Sequence, residues 1–161
     1  MMECVFCREI RSGEYTIFET DLFIARWDMH PSTPGHVLVI PKRHVQYVED
    51  MTPEEAKELL PTVQKTIETL SKIDLEKAYE DCAERTDAFE KAFFVACLEK
   101  LSAHHGAPEA FTIGINDGPA AGQTIPHVHT HVMPRWSGDV EDPRGGVRRV
   151  MGADAYASRA K

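Results

Sequence analysis

The sequence predicts an α+β domain, a mainly antiparallel sheet packed by helices, and three observations carry that expectation. Extended segments broken by turns fill residues 15–43, helical periodicity dominates 52–104, and two more extended segments close the pattern within 109–134. The order strands, helices, strands disfavours a doubly wound parallel sheet, in which strand and helix alternate. Neither a Walker sequence nor a G-x-G-x-x-G run occurs, so neither common nucleotide-binding loop is available.

Element by element, "YTIFET" and "LFIARWD" read as strands closing around "ETD" into an antiparallel hairpin, and "HVLVIPKRH" follows the turn signal "HPSTPG". At Thr52 the character changes: a threonine N-cap, Pro53 at the first helical position and Glu55 three residues past the cap open a helix. Leu59, Leu60, Val63, Ile67 and Leu70 continue its apolar stripe, and Pro61 inside it predicts a kink or a second start. A second helical stretch is expected from about Leu75 to His104, with Phe89, Phe93 and Cys97 four residues apart and Phe94, Leu98 and Leu101 beside them. That stripe reads as core or interface packing, as do Cys82 and Cys97. "EAFTIGIN" and "PHVHTHVMP" read as two late strands joined by "DGPAAGQT", and a Gly- and Arg-rich tail follows from about residue 136.

The whole chain, 1–161, is expected to be one domain, because 161 residues suffice for one real core and not for two of ordinary size. No run of eighteen apolar residues could cross a bilayer, and "MMECVFCREI" has neither the basic start nor the apolar block of a secretory leader. A cytoplasmic location with no membrane partner is the expectation. A formal net charge of −8 argues against a nucleic-acid polymer as partner, which demands clustered Lys and Arg, but leaves small phosphorylated ligands open.

Three of eight histidines stand at every second position in "QTIPHVHTHVMPRW". If 127–132 is a strand, His127, His129 and His131 share one face, and the β-branched neighbours and flanking prolines favour that geometry over a helix. Such a row is compatible with a polar strand face, with a metal site, or with a nucleophilic imidazole whose neighbours stabilise an oxyanion. "CVFC" adds two thiolates at the spacing zinc sites use, which alone is half a site.

"NDGPAAGQTIPHVHTHVMPR" resembles the signature of the histidine-triad superfamily: His-x-His-x-His, two apolar residues after it and Gly-Gln-[Ser/Thr] before it. "CVFCREIRSGE", "DLFIARWD", "PSTPGHVLVIPKRH" and "TPEEAKELLP" stand in the order that superfamily shows, so the resemblance covers most of the chain. It implies a hydrolase or transferase acting on nucleoside phosphates through a covalent nucleotidyl-histidine, the substrate being a small purine nucleotide. Carried over by position, His129 is the nucleophile, His131 meets the phosphate or leaving group, and His127 supports the row or serves a metal. Gln123 and Thr124 would bond the leaving phosphates, Asn116 would lie near phosphate and ribose, Asp28 would accept from ribose hydroxyls, and Val5 and Phe6 would form part of the purine slot. Dinucleoside polyphosphates are the first substrate class implied. Phosphoramidates and aminoacyl-adenylates come next, because asparagine at 116 resembles the phosphoramidase branch. A zinc-stabilised nucleotide-binding module without turnover is the competing class.

The same resemblance completes the metal set. Several branches combine Cys-x-x-Cys with a histidine after the "PK" of the third strand and with the first triad histidine, which here gives Cys4, Cys7, His44 and His127 for structural Zn2+. His104 and His105 read as a helix end, and His30 and His36 as structural. Members look like symmetric homodimers, which implies an interface helix near 52–70. The chain departs from a minimal member in its long helical insertion, about 71–108. Arg144, Arg148 and Arg149 of the tail could meet polyphosphate or simply be solvated charge.

Overall fold

The computed structural model describes residues 3–102, 106–144 and 146, and the expected α+β fold is what it shows. In chain order the elements are α1 (Val5–Ser12), β1 (Thr16–Glu19), β2 (Phe23–Trp27), β3 (Val37–Pro41), α2 (Pro53–Leu70), α3 (Leu75–Arg85), α4 (Ala88–Leu101), β4 (Ala110–Ile115) and β5 (Thr130–Arg135). Every strand pairing is antiparallel, and the strands lie in the order β1-β2-β3-β5-β4. His104, His105, Arg148 and Arg149 lie outside the described residues, as does most of the tail.

Alternation along β2 and β3 divides the molecule into two layers. Phe23, Ala25, Trp27, Val37 and Val39 face α2, α3 and α4, joining Val63, Leu70, Tyr79, Phe94 and Cys97 in the main core. Ile24, Leu38 and Ile40 face the other way, against Phe6 of α1, with Ile10 packed beside them. The functional residues gather on this thinner side.

Three elements differ from expectation for identifiable reasons. Residues 5–12 form a helix that the strand and turn signals hid; Phe6 and Ile10 are its i and i+4 anchors, and Gly13, at φ 69°, ends it with a left-handed residue whose N–H bonds to Glu9 O. The long helical stretch is two helices, because Thr86 is extended and the Asp87 side chain caps a fresh start by accepting from the N–H groups of Phe89 and Glu90. Within α2 the capping box is present, and the helix runs on through Pro61, which lies on the exposed side. Leu60 leaves the apolar stripe, being 65% exposed.

The insertion is tied to the sheet by a close approach. Gly35, at φ 77°, donates its N–H to the Tyr79 hydroxyl at 2.7 Å, and a Cβ there would lie 2.9 Å from Pro134 Cγ. Both the left-handed backbone and the space therefore require glycine. The turn at 31–36, which delivers His36 to the sheet, is thus fixed by α3.

Candidate active site

β5 begins only at Thr130, so the three histidines do not sit in one regular strand. His131 alone is in the ladder, paired with Leu38 of β3. His127 and His129 precede it in an extended approach whose backbone is held by the Val128 N–H bonding to Val45 O at 2.7 Å. The prolines on either side and the divergence of β3 into the loop after Pro41 shorten the pairing, yet the alternation survives. Phe6 lies edge-on to both His127 and His129, at 6.0 and 5.1 Å between ring centres.

Each histidine has a different partner. His129 Nδ1 donates to the carbonyl oxygen of His127 at 2.8 Å, a bond that fixes the tautomer and leaves Nε2 with its lone pair free. His131 stacks edge-on to His129, with centroids 4.9 Å apart, and its Nδ1 is 3.0 Å from Nε2 of His36. His36 Nδ1 in turn accepts from the backbone N–H of Ser32 at 3.2 Å, and Asp28 Oδ2 lies 3.2 Å from the same nitrogen. Asp28, His36 and His131 thus form one contiguous polar chain ending at the cleft. The sequence reading assigned His36 only a structural place and missed this link; its signal was the alternation 36, 38, 40 along β3, which puts His36 on the same face as Leu38 and hence beside His131.

Burial sets the charge state of this chain. Desolvation pulls His36 down to about 4, opposed by the Asp28 charge, and it lowers His131 below the ordinary histidine value, with the neighbouring His129 adding to the effect. Unfolded, His36 binds its proton near 6.5; folded, only near 4. Its contribution to stability is therefore fully present above pH 6.5 and is lost as pH falls toward 4, a loss of about 3 kcal/mol in all. Urea unfolding at pH 7 and pH 5 is expected to show the folded state weaker at pH 5, and His36→Gln is expected to reduce that difference.

A cleft of about 440 Å³ opens in front of these groups. Val5, Phe6, Asp28, Thr124, His129 and His131, expected to share a site, all line it. Asp28 also shows the turn-forming role, accepting from the His30 N–H through Oδ1 at 2.9 Å. Gln123 and Asn116 are not on the cleft wall. Gln123 spends its amide on backbone, accepting from Gly118 N–H at 3.1 Å and donating to Gln46 O at 2.8 Å, and so ties the loop after β4 to the segment after β3. Asn116, just past β4, approaches Gly122 of the same loop. A larger cavity of about 520 Å³ lies between the end of α2 and the start of α3, and none of the triad histidines lines it.

Behind the cleft, Cys4, Cys7, His44 and His127 bring four ligand atoms within 4.8 Å of one another. Sγ of Cys7 is 3.3 Å from His44 Nδ1 and 3.7 Å from His127 Nδ1, and Sγ of Cys4 is 3.6 Å from His127 Nδ1. Zinc bond lengths in a tetrahedron require sulfur-to-nitrogen edges of about 3.5 Å, so the set is compatible with zinc. The outer nitrogen of His127 donates to Pro41 O at 2.9 Å, which leaves Nδ1 as the ligand atom and orients the ring. His127 is therefore committed to this cluster and only its carbonyl reaches His129.

Comparison with known proteins agrees with this geometry. The sequence profile described as "HIT domain" matches residues 11–138. A bis(5'-nucleosyl)-tetraphosphatase [asymmetrical] of Schizosaccharomyces pombe is 33% identical over 130 residues, 81% of this chain and 54% of that one. An AP-4-A phosphorylase of Mycobacterium tuberculosis is 29% identical over 119 residues, 73% of this chain and 45% of that one. The chain thus spans about half the length of both curated relatives. The crystal structure of a Zn-bound histidine triad family protein from Mycobacterium smegmatis superposes with a TM-score of 0.57 at 28% identity, covering 99% of each chain.

Proposed function

The chain belongs to the HIT domain family, and from that premise we propose that it is a nucleotide hydrolase or nucleotidyltransferase acting at the α-phosphorus of dinucleoside polyphosphates or nucleoside phosphoramidates. The observation that carries this reading is the Nδ1–H of His129 bonded to the His127 carbonyl at 2.8 Å, which leaves an unprotonated Nε2 at the cleft. That nitrogen attacks the α-phosphorus while the bond to the bridging oxygen or amide nitrogen breaks, and the electron pair leaves with the departing group. His131, braced by His36 and Asp28, meets the phosphoryl oxygens or the departing group. Water or another acceptor then attacks the nucleotidyl-His129, releasing the nucleotide and restoring the imidazole.

Asp28 accepts from the ribose hydroxyls, Val5 and Phe6 wall the base, and Thr124 meets the phosphates. Gln123 and Asn116 act by holding the loop before the triad in place. Cys4, Cys7, His44 and His127 would hold zinc, which would serve as a structural cross-link between α1 and the approach to β5. The names of the two relatives point to hydrolysis in one and phosphorolysis in the other. The same nucleophile serves both, and the acceptor decides between them.

We also propose a homodimer. β4 is an edge strand, and beside it a shallow groove of Ala56, Leu59, Leu60, Val63, Ile113 and Ile115 is almost wholly apolar, with Leu60 65% and Ile113 40% exposed. A second copy pairing β4 to β4 buries that surface. Among the described residues no helix is long and apolar enough to cross a membrane. The functional assignment is tested by incubation with dinucleoside tetraphosphate or nucleoside phosphoramidate, with and without inorganic phosphate. Release of nucleoside monophosphate, or of nucleoside diphosphate with phosphate as acceptor, supports it; tight nucleotide binding with no product from either class leaves a binding module instead.

A further inference from the structure

The wall of the cleft away from the triad holds a polar pair that the proposed chemistry does not use. Arg26 is 2% exposed, and its Nη1 donates to Glu9 Oε2 at 2.5 Å. Both residues line the nucleotide cleft. The pair is incompletely satisfied: Arg26 Nε is buried with no hydrogen-bond partner among the described residues. A buried guanidinium N–H left open costs free energy unless something completes it.

The sheet register locates this pair relative to the reaction. Arg26 is opposite Leu38, and Leu38 is opposite His131, so the three stand in one row across β2, β3 and β5. Two inter-strand spacings put Arg26 about 10 Å from His131. Asp28 lies two residues along from Arg26 on the same face, in the next row opposite His36. With the α-phosphate at His129 and the ribose at Asp28, the base falls against Glu9 and Arg26. Glu9 is one helical turn from Val5 and Phe6, on the side of α1 that faces the sheet.

We infer that this cleft selects guanine over adenine, with Glu9 and Arg26 reading the base edge, a specificity that rests on the proposed nucleotide chemistry at His129. Guanine presents two adjacent donors, N1–H and the N2 amine, which a carboxylate accepts together, while its O6 and N7 accept from a guanidinium. Adenine turns the N1 lone pair toward the same carboxylate and has no O6. Glu9 Oε1 is free for the first interaction, and a carboxylate oxygen already bonded to Arg26 has a further lone pair to offer. A purely structural pair, pinning α1 to the sheet, would treat all bases alike.

The test uses guanosine, inosine and adenosine 5'-phosphoramidates with one leaving amine, on the full chain. The expected order of kcat/KM is guanosine, inosine, adenosine, with guanosine favoured over adenosine about ten- to a hundredfold. Inosine, lacking the N2 amine, falls between. Glu9→Gln offers one donor and one acceptor, the complement of adenine, and is expected to bring the guanosine-to-adenosine ratio below about threefold or invert it. Equal turnover of the three bases, or an unchanged ratio in Glu9→Gln, would overturn the inference while leaving the enzyme assignment intact. If no phosphoramidate is turned over, dinucleoside tetraphosphate turnover decides the assignment at His129, and equilibrium binding of GMP against AMP still decides the base preference.

Discussion

His129→Ala is expected to lower kcat/KM for a dinucleoside tetraphosphate by about 10⁴-fold or more, while the Kd for a nucleoside monophosphate changes by no more than about threefold. The size follows from what is removed: the covalent route itself, rather than one of several contacts to the transition state. Binding survives because Asp28, Thr124, Val5 and Phe6 line the cleft independently of that imidazole. The fold survives too, since His129 precedes β5 and, among the described residues, its side-chain hydrogen bond is local, to the His127 carbonyl. Steady-state kinetics beside calorimetric binding separate these effects. Parallel loss of binding and of melting temperature would mean that His129 is a structural residue.

The second large effect is expected at the sulfurs. Cys4→Ser or Cys7→Ser should release one equivalent of zinc and cost about 3 kcal/mol or more of stability, a melting point lower by about 10 °C for a chain of this size. Without a metal the thiolate form is disfavoured: burial and the neighbouring Cys4 both raise the thiol pKa of Cys7. A dication reverses that by stabilising the thiolates. The loss reaches the active site, because α1 carries Phe6 onto His129 and His127 supplies the carbonyl that fixes its tautomer. Metal analysis and thermal melts of wild type and variants, before and after chelation, check this. Full metal content in both variants, or no change in melting, would remove zinc from the account.

The sheet was legible because its strands follow ordinary turn chemistry, and α2 because Thr52, Pro53 and Glu55 mark its start without ambiguity. α1 was not: eight residues with two cysteines and two buried anchors carry little periodicity, and their helical form depends on packing against Ile24, Leu38 and Ile40. The division between α3 and α4 rested on one residue, Asp87, whose capping role is visible only once Thr86 is known to be extended. For the site, the resemblance named Asp28, Thr124, His129 and His131, which line one cleft, and the partners of "CVFC", whose ligand atoms lie together. It did not separate His127 from its neighbours, because alternation says which face a side chain takes and not which cluster waits there. His36 and the Glu9–Arg26 pair depend on register between strands and on the placement of α1, both tertiary facts.

Trapping the intermediate tests the central claim most directly. Wild type and His129→Ala are mixed with α-phosphate-labelled dinucleoside tetraphosphate, quenched within milliseconds and digested for mass spectrometry. A nucleotidyl mass on the peptide containing His129, acid-labile, formed in wild type alone and decaying at a rate consistent with turnover, is the predicted result. Product formation at full rate with no adduct at any time, or an adduct that persists in His129→Ala, would contradict it.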